Sequence, residues 1–341
     1  MNDHSTWLSL TREEVFAPEL AVVDCHHHFW RGLGEVFRHA PDYLAEQLVE
    51  DLASGHRVLA TVVVECGQAW RASGPESLRS LGETAFMLAE AASARLLSRG
   101  GCAVGAGLVT FVDLRLGEAV EEVLLAHREL AGARLQGIRQ RADRPLDDHG
   151  RPTGAALFDD PSFRAGLRRL ARHDLLFEVW LLHPQLPELY RLARDFPEQT
   201  FVLDHLGAPL GIGAYAGRTA EVRAAWREEM KRLAELHNVV VKLGGFGMPL
   251  WGFAWERRPR PPDSDELVAA VGDWIREAVE RFTPRRCLFE SNFPVDKLAF
   301  SYRTFWNACK KIALEFGPRA AEDLLAGNAR RLYGLDGTFA P

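Results

Sequence analysis

The chain lacks most of the features that would assign it at a glance. Its five cysteines (Cys25, Cys66, Cys102, Cys287, Cys309) are odd in number and far apart, and no CxxC pair occurs. That pattern excludes a zinc ribbon and a disulfide framework, and it suits reduced, buried thiols in the cytoplasm. There is no basic run, and the net charge is −6, so neither nucleic acid nor an anionic membrane is an expected partner. No apolar stretch approaches the roughly 20 residues of a membrane span. The first residues, Met1-Asn2-Asp3-His4, lack the basic start and apolar run of a signal peptide. What remains is a chain of 341 residues, 47% hydrophobic and 26% charged, as expected of a globular protein with a large core and a small molecule as its partner.

After a polar lead-in over 1–20, short apolar runs alternate with amphipathic ones, and 21–341 reads as one domain. Strands are expected at Val22–His26, Val58–Glu65, Ala103–Phe111, Ala133–Arg139, Leu175–Leu182, Thr200–Asp204, Val239–Leu243 and Arg286–Glu290. The second, Val58-Leu59-Ala60-Thr61-Val62-Val63-Val64, is apolar almost throughout, as a strand covered on both faces should be. Helices are expected from about Asp42, where Leu44, Leu48 and Leu52 recur every four residues, and over 77–97, 116–130, 161–173, 185–195, 219–237, 265–282, 301–316 and 319–327. Eight strands, each followed by a helical segment, predict an α/β fold closed as a (β/α)8 TIM barrel. The rival, an open doubly wound sheet, usually brings a glycine-rich phosphate turn after strand one, where this chain has His26-His27-His28.

The stretch Val22-Val23-Asp24-Cys25-His26-His27-His28-Phe29-Trp30 organises the rest. Strict alternation puts Asp24, His26 and His28 on one face, the two histidines about 7 Å apart along the strand. Such a pair can share a metal ion or grip a polar substrate. In a barrel, chemistry sits at the carboxyl ends of the strands. Those ends supply His26, His28, Glu65, Asp113, Arg139, His183, His205, Lys242, Glu290 and Asn292. After strand seven comes Gly244-Gly245-Phe246-Gly247-Met248-Pro249-Leu250-Trp251-Gly252-Phe253-Ala254-Trp255, aromatics among glycines. With Trp30, Trp70 and Trp180 it suits an apolar wall over the mouth, or an interface in a homo-oligomer.

Several pieces then resemble one family in order: Val23 to Trp30, Gly137-Ile138-Arg139, His183-Pro184-Gln185-Leu186-Pro187, Phe201-Val202-Leu203-Asp204-His205-Leu206-Gly207, Val241-Lys242-Leu243, Phe289-Glu290-Ser291-Asn292-Phe293-Pro294-Val295 and Gly327-Asn328-Ala329-Arg330-Arg331-Leu332-Tyr333. Over about 22–335 the chain looks like the amidohydrolase superfamily, in the amidohydrolase-2-like branch of sugar-acid, pyrone-dicarboxylate and muconolactone-type lactonases, with zinc-dependent decarboxylases more distant. The resemblance implies that His26 and His28 are the first-strand pair, His205 the sixth-strand histidine and His183 the fifth-strand position. Arg139 and Lys242 would be cations for a substrate carboxylate or an oxyanion, and Glu65, Trp30 and Trp251 would also meet the substrate.

One position departs from the family. Asn292 stands where an aspartate usually activates the attacking water, and an amide takes no proton at neutral pH. Glu290, Asp296 in the loop beyond, or a histidine could replace it; Glu290 lies about 7 Å deeper by strand rise, so Asp296 or a histidine is favoured. Two readings of the metal stand. His26, His28 and His205 form a three-histidine site for a divalent ion such as zinc, or the histidines hold substrate with no metal. The function expected is hydrolysis of a lactone or related cyclic ester. The alternatives are a metal-dependent decarboxylase of an aromatic or unsaturated acid, and a barrel that only binds ligand.

Overall fold

The computed structural model describes residues 3–99 and 101–335. The ends of the sequence reading, 1–2 and 336–341, lie outside the described residues. The strands are β1 (Ala21–His27), β2 (Arg57–Val64), β3 (Ala103–Thr110), β4 (Leu135–Arg141), β5 (Leu176–Trp180), β6 (Phe201–Leu203), β7 (Val239–Leu243) and β8 (Cys287–Phe289). They pair in sequence order, all parallel, as one eight-stranded sheet. The ring closes through the segment after β8: the Asn292 amide donates to His26 O at 2.9 Å and the His28 amide to Phe293 O at 2.8 Å. The closing seam therefore passes through three candidate site residues, His26, His28 and Asn292.

The helices are α1 (Asp3–Leu8), α2 (Ala45–Leu52), α3 (Leu81–Leu97), α4 (Val120–Ala131), α5 (Pro161–Ala171), α6 (Leu186–Asp195), α7 (Thr219–Ala234), α8 (Ser264–Phe282), α9 (Tyr302–Glu315), α10 (Pro318–Glu322) and α11 (Asn328–Leu332). Local chemistry marks their starts. Asp160 accepts from the Ser162 and Phe163 amides with Pro161 at the first turn of α5, and Asp263 and Glu266 form a reciprocal capping box on α8. The helices form a single-domain (β/α)8 barrel around the sheet. The lead-in is not plain coil: it contains α1, and Trp7 Nε1 donates to Arg258 O while Thr11 Oγ1 donates to Pro261 O. Among the described residues no helix is long and apolar enough to cross a membrane.

The core has two compartments. Inside the ring, Val23, Cys25, Val62, Val64, Val109, Val202 and Leu288 pack together, with Tyr333 beyond α11. Outside it, Val22, Val63, Leu203, Val241 and Phe289 meet the helices. Alternation holds along most strands, and the site arises where it fails.

It fails first in β1. Asp24 pairs with Thr61 and His27 with Val63, so β1 carries one extra residue there, a bulge that resets which way the following side chains point. Asp24 consequently does not share a face with His26 and His28, as strict alternation predicted. It turns outward, accepting from Ser291 Oγ at 2.6 Å and Tyr302 Oη at 3.0 Å. His26 and His28 turn inward.

Candidate active site

Beyond β6 the chain breaks alternation a second time. His205 and Leu206 have φ of 55° and 57°, the left-handed region that L residues enter at a cost. The turn brings two consecutive side chains, Asp204 and His205, to the ring centre. Ligand atoms of His26, Asp204 and His205 lie within 4.8 Å of one another. The glycine-rich loop after β7 accommodates this. Gly245 (φ 73°) approaches so closely that a Cβ there would lie 2.5 Å from the His205 ring.

A buried charge network surrounds these groups. Arg139 Nε donates to Glu65 Oε1 at 2.7 Å, and its Nη1 lies 3.2 Å from His26 Nε2 and 3.6 Å from Asp204 Oδ2. Lys242 Nζ donates to Glu178 Oε2 at 2.6 Å, lies 3.1 Å from His26 Nδ1 and stands 3.6 Å from Asp204 Oδ1. Glu290 Oε1 meets His205 Nδ1 at 2.6 Å, while its Oε2 lies 2.8 Å from His26 Nδ1. Tyr333 Oη donates to Glu178 Oε1, so the end of the chain reaches the network from the opposite rim.

The electrostatics are unbalanced. Glu65, Glu178, Asp204 and Glu290 face two cations, Arg139 and Lys242. Burial raises the Asp204 carboxyl above its ordinary value and pushes Glu290 to about 8. For Lys242, burial opposes the charge, but Glu178, Asp204 and Glu290 outweigh it and raise its pKa. Burial also lowers the histidines, His205 to about 3 and His26 and His28 well below the usual range, so all three imidazoles are neutral at pH 7. Both Asp204 carboxylate oxygens and Glu290 Oε2 are buried without a well-directed hydrogen bond. Buried carboxylate oxygens without a directed hydrogen bond, beside neutral imidazoles, are what a divalent cation needs, and the donor set of two nitrogens and a carboxylate suits zinc. His26, Asp204 and His205 therefore fit a metal. His28 lies close by, its Nε2 3.2 Å from His26 Nε2.

Above the network opens a cleft of about 1340 Å³, lined at its base by His28, Glu65, Arg139, His205 and Asn292. Trp30 also reaches it, with Nε1 donating to Ala40 O. Arg139 sits inside β4 rather than at its end, because the strand continues to Arg141. Lys242 is wholly buried and faces carboxylates and His26 instead of the cleft. His183 stands apart: it is not part of the cleft lining, its Nδ1 accepts from the Leu210 amide at 3.3 Å, and its ring packs on Tyr215. Trp251 is buried, donating to Gly245 O, while its neighbours Met248, Pro249 and Leu250 line the cleft. Asp296 does not fold over the mouth. It is fully buried and accepts from the Gly247 amide and from Asn292 Nδ2, each at 2.9 Å.

Asp204, Glu178 and Tyr333 belong to the network but were not singled out as site residues in the sequence. A signal existed for Glu178, a charge inside the apolar strand Leu176-Phe177-Glu178-Val179-Trp180. Asp204 was hidden because alternation sends it and His205 to opposite faces.

The chain is 28% identical over 327 residues to L-fucono-1,5-lactonase from Burkholderia multivorans, covering 92% of this chain and 96% of that one. It is 33% identical over 235 residues to an uncharacterized protein, y4mH, from Sinorhizobium fredii, covering 67% and 69%. Among solved structures, an amidohydrolase from Burkholderia multivorans with bound zinc superposes with a TM-score of 0.70 at 27% identity, covering 92% of this chain and 99% of the other. The sequence profile described as Amidohydrolase matches residues 23–335, nearly the whole barrel and every residue of the network, and the chain belongs to the amidohydrolase family of enzymes, in its amidohydrolase-2 branch.

Proposed function

We propose that the cleft opens a lactone, or a related cyclic ester, by attack of water on the ring carbonyl. The observation that carries this reading is the set of groups at the cleft base. His28 donates from Nδ1 to Val64 O at 2.9 Å, which leaves Nε2 as an acceptor. Arg139, fixed by Glu65, presents a guanidinium beside it. Asn292 completes the set.

In this reading His28 Nε2 takes a proton as the water oxygen bonds to the carbonyl carbon. Arg139 stabilises the oxyanion that forms. The ring C–O bond then breaks, and the proton held by His28 passes to the leaving alkoxide, so one water is consumed and a hydroxy acid is released. Asn292 orients the water through its amide oxygen. His26, Asp204 and His205 would hold the divalent metal, which when bound supplies Lewis acidity and brings the pKa of a water to about 7. The 28% identity to a lactonase supports the choice of ester over amide.

The test is hydrolysis of a panel of sugar-derived δ- and γ-lactones by the purified protein and by His28→Asn, whose amide keeps the bond to Val64 O but offers no basic nitrogen. Ring opening by the parent and a loss of about 10²–10⁴-fold in the variant are expected. Inertness toward every lactone, with carbon dioxide released from an aromatic acid, overturns the proposal.

A further inference from the structure

The cleft is larger than a monosaccharide lactone requires, since sites for drug-sized ligands span about 300–1,000 Å³ and this one measures about 1340 Å³. The loop after β2 forms part of its wall, with Glu65, Cys66, Gly67 and Trp70 all lining the cleft. Among the described residues Trp70 is the one exposed tryptophan, with 41% of its surface open to solvent.

This tryptophan is open but fixed. Its indole Nε1 donates to Glu83 Oε2 at 3.1 Å. Glu83, on the first turn of α3, is buried, and its Oε1 accepts the amides of Cys66 at 2.7 Å and Gln68 at 2.9 Å. The loop also lies directly on the helix, where a Cβ on Gly82 would meet Ala69 O at 2.3 Å, so only glycine permits the contact. The Phe111 ring flanks the indole, centroids 5.1 Å apart. A buried carboxylate, two loop amides and a close helix contact thus converge on holding an aromatic face toward the cleft. The ring is held on one side by Phe111 and keeps 41% of its surface open where it lines the cleft. Rigid aromatic faces stack flat rings at little entropic cost.

Resting on the lactonase reading, we propose that Trp70, positioned by Glu83, is a stacking subsite for a second ring, so that the preferred substrate is a lactone bearing an aryl or sugar substituent rather than a free monosaccharide lactone.

The test compares one sugar lactone with its phenyl and its glucosyl derivatives, in wild type, Trp70→Ala, Trp70→Phe and Glu83→Gln. Wild type should prefer at least one derivative by about tenfold in kcat/KM. Trp70→Ala should lose that preference while hydrolysing the unsubstituted lactone within twofold of wild type. Trp70→Phe should keep most of it, and Glu83→Gln, which turns an amide toward the indole N–H, should show an intermediate loss. Which derivative responds tells an aryl from a sugar ring. A Trp70→Ala effect that is equal on all lactones, or absent, overturns the subsite. Binding of unreactive phenyl glucoside, followed calorimetrically, separates this proposal from the one beneath it. Trp70-dependent binding without any lactone hydrolysis sinks the reaction and leaves the subsite. Hydrolysis with Trp70-independent kinetics and no phenyl glucoside binding does the reverse.

Discussion

Asn292 donates from Nδ2 to Asp296 Oδ1 at 2.9 Å, and this bond fixes which end of the amide is free. Asp296 has no other outlet: its second oxygen accepts from the Gly247 amide, and burial raises its carboxyl well above the ordinary range. The acid four residues along is therefore a support for the amide. Replacing the amide by the acid usual in the family, Asn292→Asp, sets two buried carboxylates against each other, and one of them must hold a proton. We expect kcat/KM at pH 7 to fall by about tenfold or more, with partial recovery toward lower pH, where the pair is protonated. A pH–rate profile of the variant checks this; a large gain of hydrolysis at pH 7 would show instead that the chain had lost a base.

Metal binding should depend on Asp204 as much as on the histidines. Asp204 Oδ1 and Oδ2 are buried and accept no hydrogen bond, and ligand atoms of His26, Asp204 and His205 lie within 4.8 Å. Zinc at 100 times its Kd should stabilise the protein by about 2.7 kcal/mol, read as a rise in melting temperature that a chelator reverses. Asp204→Asn should abolish that rise; because it also removes the charge that faces Arg139 and Lys242, each 3.6 Å away, the zinc response of each protein is read against its own metal-free melting temperature. Equal zinc response in the two proteins would place the ion elsewhere.

The underside of the network is testable without any substrate. Tyr333 and Lys242 both donate to Glu178, and all three are buried. Lys242→Met leaves a buried carboxylate without its cation and should cost about 3–5 kcal/mol of folding free energy. Tyr333→Phe removes one hydrogen bond and should cost about 1–2 kcal/mol. Because both act on one acceptor, the double variant should lose less or more than the sum. Denaturant titration of the four proteins measures it, and strict additivity would mean that the contacts are independent.

The architecture was legible because it is written in periodicity. Val58 to Val64 reads as a covered strand whatever the rest of the chain does, and eight such runs between amphipathic segments leave few folds. Charges inside apolar strands, such as Lys242 in Val239-Val240-Val241-Lys242-Leu243, mark where those strands turn polar groups inward. Two local events were not legible. Nothing in Asp24-Cys25-His26 announces a bulge, which depends on the pairing of β1 with β2. Nor does Asp204-His205-Leu206 announce left-handed backbone, since neither His205 nor Leu206 is the glycine that usually marks it. Both errors had the same form: strict alternation was extended through the positions where a site requires it to break. Asp296 was misplaced for another reason, because the loop that buries it follows β7, far away in sequence.

A last prediction concerns acid stability away from the cleft. His127 on α4 is buried between Ser80 Oγ at 3.1 Å and Thr84 Oγ1 at 2.9 Å, and burial lowers its pKa to about 4. An unfolded histidine titrates near 6.5. The folded form therefore binds its proton less readily, so stability is complete above the unfolded value and falls as pH drops toward 4, below which the loss levels off. Between pH 7 and 4.5 this one group should account for about 2 kcal/mol. His127→Gln keeps a donor and an acceptor for the two hydroxyls but does not titrate. Urea titrations at both pH values should show the wild type losing about 2 kcal/mol more than the variant over that interval. Parallel losses would mean that His127 is already charged in the folded protein, or that the hydroxyls rearrange to hold the imidazolium.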